Sequence, residues 1–138
     1  MSKTLPIPAL LEEWLKWATW VSDPLRREED SQNLTGFMEF DWVVDEEPEK
    51  GWKAILAALE DPRIEVHLGT LAAGPLEDLL SKHGENFIDR VEIEAKSNPK
   101  FARLLGGVWR YQMTEEVWNR VQLVWDRGAW DGNPKRDA

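Results

Sequence analysis

The chain has 138 residues, a formal net charge of −9, no cysteine and nine tryptophans. That length suits one domain with a core of its own, and the absence of cysteine excludes a disulfide framework and a thiolate metal site. The acid is concentrated: residues 1–69 carry fifteen acidic against seven basic side chains, residues 70–138 eleven against ten. Such a surface repels phosphate backbones, so no nucleic-acid partner is expected.

In chain order, Glu12, Glu13 and Lys16 interrupt the first apolar run. This argues against a signal peptide or membrane span, and a cytoplasmic protein without membrane attachment is expected. A first helix is predicted over residues 9–22. At about 100° per residue, Leu10, Leu11, Trp14, Leu15, Trp17, Ala18 and Val21 make one broad apolar stripe. Trp20 falls outside the stripe, so it is either a second contact, for instance against residues 34–44, or an exposed anchor. Residues 23–31 are charged and read as a loop or short helix after Pro24.

Phe37, Phe40, Val43 and Val44 follow a helical period over residues 34–44, although the aromatic and β-branched residues at 40–44 would also suit a short strand. Helix is the preferred assignment. Pro48 opens the next helix, with Glu46, Glu47 and Glu49 at its positive end and Trp52, Ile55, Leu56 and Leu59 as its stripe. Asp61-Pro62 ends it. A weaker helical stretch over residues 64–73 is expected to stop at Gly74.

Two carboxylates and a histidine then fall within ten residues, in Gly74-Pro75-Leu76-Glu77-Asp78-Leu79-Leu80-Ser81-Lys82-His83-Gly84. Punctuation accounts for them without chemistry. Gly74 serves as N-cap, Pro75 as first helical residue, and Glu77 reaches back to the cap backbone. His83 sits in the last turn and Gly84 is the left-handed stop. Glu77 and His83 are too far apart in sequence to share a metal as an H-x-x-x-H pair does. With His67 as the other histidine, no nucleophile–base pair emerges. No catalytic, cofactor-binding or metal-ligating residue is therefore assigned, and no cofactor is expected.

Beyond this motif, Asn86 is expected to cap a helix carrying Phe87, Ile88, Val91 and Ala95, with Ile93 buried on a second face. Pro99 begins a short helix with Phe101, Leu104, Leu105, Val108 and Trp109, and Gly106-Gly107 marks a bend or a close helix approach. No Lys-Ser/Thr follows it, so it is not a phosphate loop. Thr114 caps the last helix, with Glu115 and Glu116 in its first turn, Val117, Trp118, Val121, Val124 and Trp125 as its stripe and Arg120 beside it. Residues 128–138 read as a polar, frayed tail. A shift of 37 residues lays Leu56, Ala58, Asp61, Pro62, Ile64, Leu68 and Gly69 on Ile93, Ala95, Asn98, Pro99, Phe101, Leu105 and Gly106, a period near that of HEAT-like helical hairpins. The fold expected is a single all-α domain of six to eight short helices in packed layers.

Trp52-x-x-Ile55-Leu56, LAAGPLEDLL, His83-Gly84, Phe87-Ile88, Pro99-x-Phe101 and LLGGVW together resemble a bacterial domain-of-unknown-function family of small helical proteins. The resemblance spans Pro48 to Arg127 and implies no activity. The N-terminal third resembles no family.

Function is therefore read from charge. The stretch from Glu39 to Glu49 holds Glu39, Asp41, Asp45, Glu46, Glu47 and Glu49 with no basic residue. An interaction protein for a basic protein partner is the leading expectation, with size and charge analogous to immunity proteins that block basic toxins. Its partner-binding residues would be Trp20, Glu39, Asp41, Trp42, Asp45, Glu46 and Glu47. The alternatives are a regulatory or scaffold domain with a peptide groove, and an enzyme using Glu77, Asp78 or His83. Oligomeric state is left open.

Overall fold

A computed structural model describes residues 4–128 and 130. The described residues form one all-α domain of seven α-helices with no strand. Helix α1 spans Ile7–Val21, α2 Gly36–Glu46, α3 Pro48–Leu59, α4 Leu68–Leu71, α5 Glu77–Ser97, α6 Pro99–Leu105 and α7 Glu115–Val124. Two 3₁₀ segments, Glu28–Asn33 and Pro62–His67, and a π turn, Ala72–Leu76, fill the connections.

The amphipathic period places α1 and α2. Leu10, Trp14, Leu15 and Ala18 of α1 are buried, as are Phe40, Val43 and Val44 of α2. Trp14 meets Phe40 edge-on, with ring centroids 6.1 Å apart. The two helices cross so closely that a Cβ on Gly36 would lie 2.1 Å from the Glu13 carbonyl oxygen. Only glycine fits that crossing. The β-branched residues of 40–44 thus sit in a helix, because helical spacing puts Phe40, Val43 and Val44 on one face that α1, α3 and α5 cover.

Side-chain oxygens cap three corners, Thr114 being the one expected to do so. Asp61 Oδ1 accepts from the Arg63 N–H at 2.9 Å ahead of the 3₁₀ segment. Asn98 Oδ1 accepts from the N–H groups of Lys100 at 3.1 Å and Phe101 at 3.4 Å, opening α6. Thr114 Oγ1 accepts from the Val117 N–H at 3.2 Å, opening α7. The 37-residue repeat corresponds to the first two of these Asx-Pro corners, which face each other through a Lys100–Glu60 ion pair at 3.1 Å and an Arg103–Glu65 pair. The likeness is local. α5 packs on α2, α3, α6 and α7 at once, a central helix rather than one unit of a nearest-neighbour stack.

Other punctuation behaves differently. The chain does not stop at Gly74: α4 runs through the π turn into α5, with Pro75 inside the turn and no glycine at positive φ. A π turn absorbs a proline because its widened ladder tolerates the missing N–H and the bulk of the ring. Nor does α5 end at His83-Gly84. It kinks there, His83 having φ −133° and ψ 18°, and continues through Asn86, which caps nothing. Gly84 is small for α7's sake, since a Cβ on it would meet Val117 Cγ1 at 3.0 Å.

Three apolar residues expected inside are outside. Phe37 is 48% exposed, its ring lying 4.9 Å from that of Trp17 at the edge of the α1–α2 crossing. Ile93 is 69% exposed, since it lies about 200° round the wheel from the buried Val91. Trp109 is 62% exposed, because α6 ends at Leu105 and the following loop turns it outward. Gly106-Gly107 is a close approach: a Cβ on Gly106 would lie 2.0 Å from the Asp126 carbonyl oxygen, and one on Gly107 2.7 Å from the Trp130 ring. Of the tail expected over 128–138, all but Gly128 and Trp130 lies outside the described residues. Trp130 itself is packed, its indole N–H donating to the Arg103 carbonyl at 2.6 Å.

Candidate functional site

The acidic segment is the C-terminal half of α2 and the start of α3. On the outward side of α2, Met38 and Trp42 lie one turn apart and are 72% and 56% exposed. Glu39 and Glu46 stand to one side of them and Asp41 and Asp45 to the other, by helical spacing. Glu47, at the helix end, accepts from Thr4 Oγ1 at 2.8 Å, and Lys50 Nζ donates to the same hydroxyl at 2.6 Å. A shallow crevice of about 320 Å³ runs between Thr4, Met38, Glu39 and Trp42. Six of the seven candidate partner-binding residues therefore share one helix and its end. Trp20 does not join them. It folds on the loop after α1, its indole N–H donating to the Arg27 carbonyl at 3.1 Å and the Arg26 guanidinium lying 5.6 Å over its ring.

The acid of this segment is partly engaged. Glu49 is bound bidentately by Arg90 of α5, and that hydrogen bonding holds its carboxyl below the ordinary range. Lys82 Nζ approaches Asp45 at 3.5 Å and Asp41 at 3.8 Å. Asp78, in the first turn of α5, is half-buried near this acid. Burial first, then the hydrogen bond and like charge of Asp41, push Asp78 up to about 6.

Glu77, Asp78 and His83 are thus held by different partners. Glu77 does not reach back to a cap. Its Oε1 accepts the Trp109 N–H at 3.0 Å, anchoring the loop after α6, while burial raises its carboxyl above the ordinary range. A helix that continues N-terminally through Leu76 leaves no free cap N–H for Glu77 to satisfy. His83 Nε2 lies 3.1 Å from the Asp45 carbonyl oxygen, at the kink. His67 is buried, edge-on to Trp14 and 3.4 Å from Thr19 Oγ1. Among the described residues, no three His, Cys, Asp or Glu side chains group to hold a metal ion, and no helix is long and apolar enough to cross a membrane.

Sequence reasoning missed the place of Asp78 beside the acid of α2 and the grip of Arg120 on α5. Arg120 Nε donates to Glu92 Oε2 at 3.0 Å and Nη2 to Asp89 Oδ1 at 2.5 Å. The only signal for that grip was Asp89 and Glu92 at i, i+3, a paired-carboxylate spacing on one helix face.

A search of curated proteins and of solved structures returned no match. A family match exists and reaches further toward the N-terminus than the resemblance from Pro48 suggested, taking in α2 and the connection before it. Over residues 23–129 the chain matches a family of unknown function (DUF6869), and it belongs to that family.

Proposed function

We propose that this chain is an interaction protein that binds a basic protein partner through the outer face of α2. The observation that carries the reading is Trp42: a large aromatic side chain, more than half exposed, beside Met38 and rimmed by Glu39, Glu46 and Asp45. An apolar anchor inside a charged rim is the usual anatomy of a protein-binding hot spot, tryptophan being among its commonest anchors. The rim would speed encounter with a cationic surface, and the anchor would set the lifetime of the complex. An immunity-like inhibitor of a basic toxin fits that electrostatic logic by analogy of size and charge.

The test is capture of a partner from the native host, followed by association kinetics at varied salt. Glu39→Lys with Glu46→Lys is the cleaner reversal, because Asp45 also faces Lys82. It should slow association by on the order of tenfold and flatten its salt dependence, while Trp42→Ala speeds dissociation. Unchanged capture and salt dependence in both variants would leave the acidic stretch as a solvated face.

One observation favours the second reading, a peptide-binding scaffold. A groove of about 640 Å³ between α1 and the 62–67 segment is lined by Leu15, Thr19, Val66 and His67, with Glu12, Lys16 and Arg63 around them. Val66→Asp would abolish peptide capture there and leave capture through Trp42 intact.

A further inference from the structure

We propose that the loop from Trp109 to Gln112 is the second half of the docking surface, so that one basic protein is held at two aromatic anchors, Trp42 on α2 and Trp109 on the loop. The inference rests on the docking reading of α2 and adds to it a surface supplied by the C-terminal half of the chain.

The loop is exposed yet held. Trp109, Arg110 and Tyr111 all stand in solvent, both rings more than half exposed. Val108 before them and Met113 after them are buried, which fixes both ends of the segment. Between those ends the backbone hangs on α5. Glu77 Oε1 accepts the Trp109 N–H at 3.0 Å, and Ser81 Oγ accepts the Gln112 N–H at 3.2 Å. The two rings are thus carried on backbone that is already ordered, and docking through them costs less entropy than docking through a free loop. Tryptophan and tyrosine also bring large contact area with only two side-chain torsions each.

The same turns of α5 touch α2. Lys82, the residue after Ser81, approaches Asp45 at 3.5 Å and Asp41 at 3.8 Å, and His83 Nε2 lies 3.1 Å from the Asp45 carbonyl oxygen. Asp41 is in turn the neighbour of Trp42. Between α2 and the loop, Asp78, Ser81, Lys82 and Glu85 of α5 reach solvent, so the surface is continuous from one anchor to the other. With about 8–10 Å for each packing step, the anchors stand on the order of 20 Å apart. An interface of ordinary size covers about 800 Å² of each partner, wide enough to take in both.

Charge selects the occupant. Across the strip, Asp41, Asp45, Glu77, Asp78 and Glu85 stand against Lys82 alone, and a cationic protein surface complements them. Arg110 is the exception, a positive charge between the two rings of the loop. A partner that meets it with a carboxylate is favoured over a surface that is basic throughout.

The experiment places the photo-cross-linker benzoylphenylalanine at Trp42, Trp109 or Leu123 of the full chain, in extract of the native host. Leu123 is exposed on α7, off the strip. One basic protein should be cross-linked from Trp42 and from Trp109 but not from Leu123. Against that protein, purified, Trp109→Ala should weaken binding by about tenfold or more, and Arg110→Glu should weaken it less. Both variants should melt as wild type does, since the Trp109 N–H that Glu77 holds belongs to the backbone. Cross-linking from Trp42 alone, with Trp109→Ala binding as wild type, overturns the second anchor and leaves the α2 reading in place. Cross-linking from Trp109 alone overturns both the joint surface and the α2 reading, as does an absence of cross-links from either position. Different proteins at the two anchors, or the same protein at Leu123 as well, overturn the joint surface.

Discussion

Helix α5 meets two of its neighbours, α7 and α2, by different chemistries. Against α7, Arg120 bridges Glu92 and Asp89, Gly84 receives Val117, and Val121 is fully buried. Against α2, Lys82 is divided between Asp41 and Asp45. An arginine keeps its charge across the physiological range, so the α7 side is held by a permanent positive charge. On the other side Asp78, pushed up by burial, lies beside the acid of α2. That second side belongs to the helix that exposes Trp42.

The largest test of this contrast lies within α2. Phe40 is fully buried and Trp42 more than half exposed, two residues apart. Phe40→Ala should cost about 3–5 kcal/mol by chemical denaturation, and Trp42→Ala no more than about 0.5 kcal/mol. Comparable losses would make the outer face of α2 a packing surface and remove the ground for docking there.

On the α7 side, Gly84→Val should cost about 1–3 kcal/mol by overpacking against Val117. A neutral result would mean that α7 can slide, so that the seam is not fixed by close approach. A smaller loss, about 0.5–1.5 kcal/mol, is expected for Glu77→Ala, the worth of one hydrogen bond at a partly exposed site. Hydrogen exchange should localise that loss to the loop around Trp109. If the variant keeps its melting temperature yet loses a measured activity, Glu77 is more than an anchor.

The smallest effect belongs to the exposed arginine bridge, where Arg120→Met should lower the melting temperature equally at pH 5 and pH 8. Its hydrogen bond holds Glu92 below the ordinary carboxyl range. Stability from a lowered carboxyl is present above the unfolded value and lost only as pH falls through the folded one, on the acid side of this range. A pH-dependent loss between 5 and 8 would erase the contrast with the Asp78 side.

Much of the architecture was legible in the residues. Periodicity placed Trp14, Phe40, Trp52, Phe87, Phe101 and Val117 inside, and all are buried. Thr114 caps as its place before a first helical turn implied, and Asp61 and Asn98, read only as corners before proline, cap as well. These rules act over three or four residues, so a linear chain contains them. Glycine and proline were less decisive: Gly74-Pro75 entered a π turn, and Gly84 answered to Val117, 33 positions away.

What the sequence determined by itself was therefore the helical class, most of the core faces, the Thr114 cap, and the acidic stretch with a tryptophan in it. Tertiary structure alone decided that Trp42 faces out while Trp20 folds back on its loop, that Glu77 anchors Trp109, and that Asp78 lies beside the acid of α2. The physical reason is range. Caps and amphipathic stripes are satisfied by near neighbours, whereas the charge a carboxyl meets across a helix seam depends on which helix arrives and in what register, and that is set by the packing of the whole core.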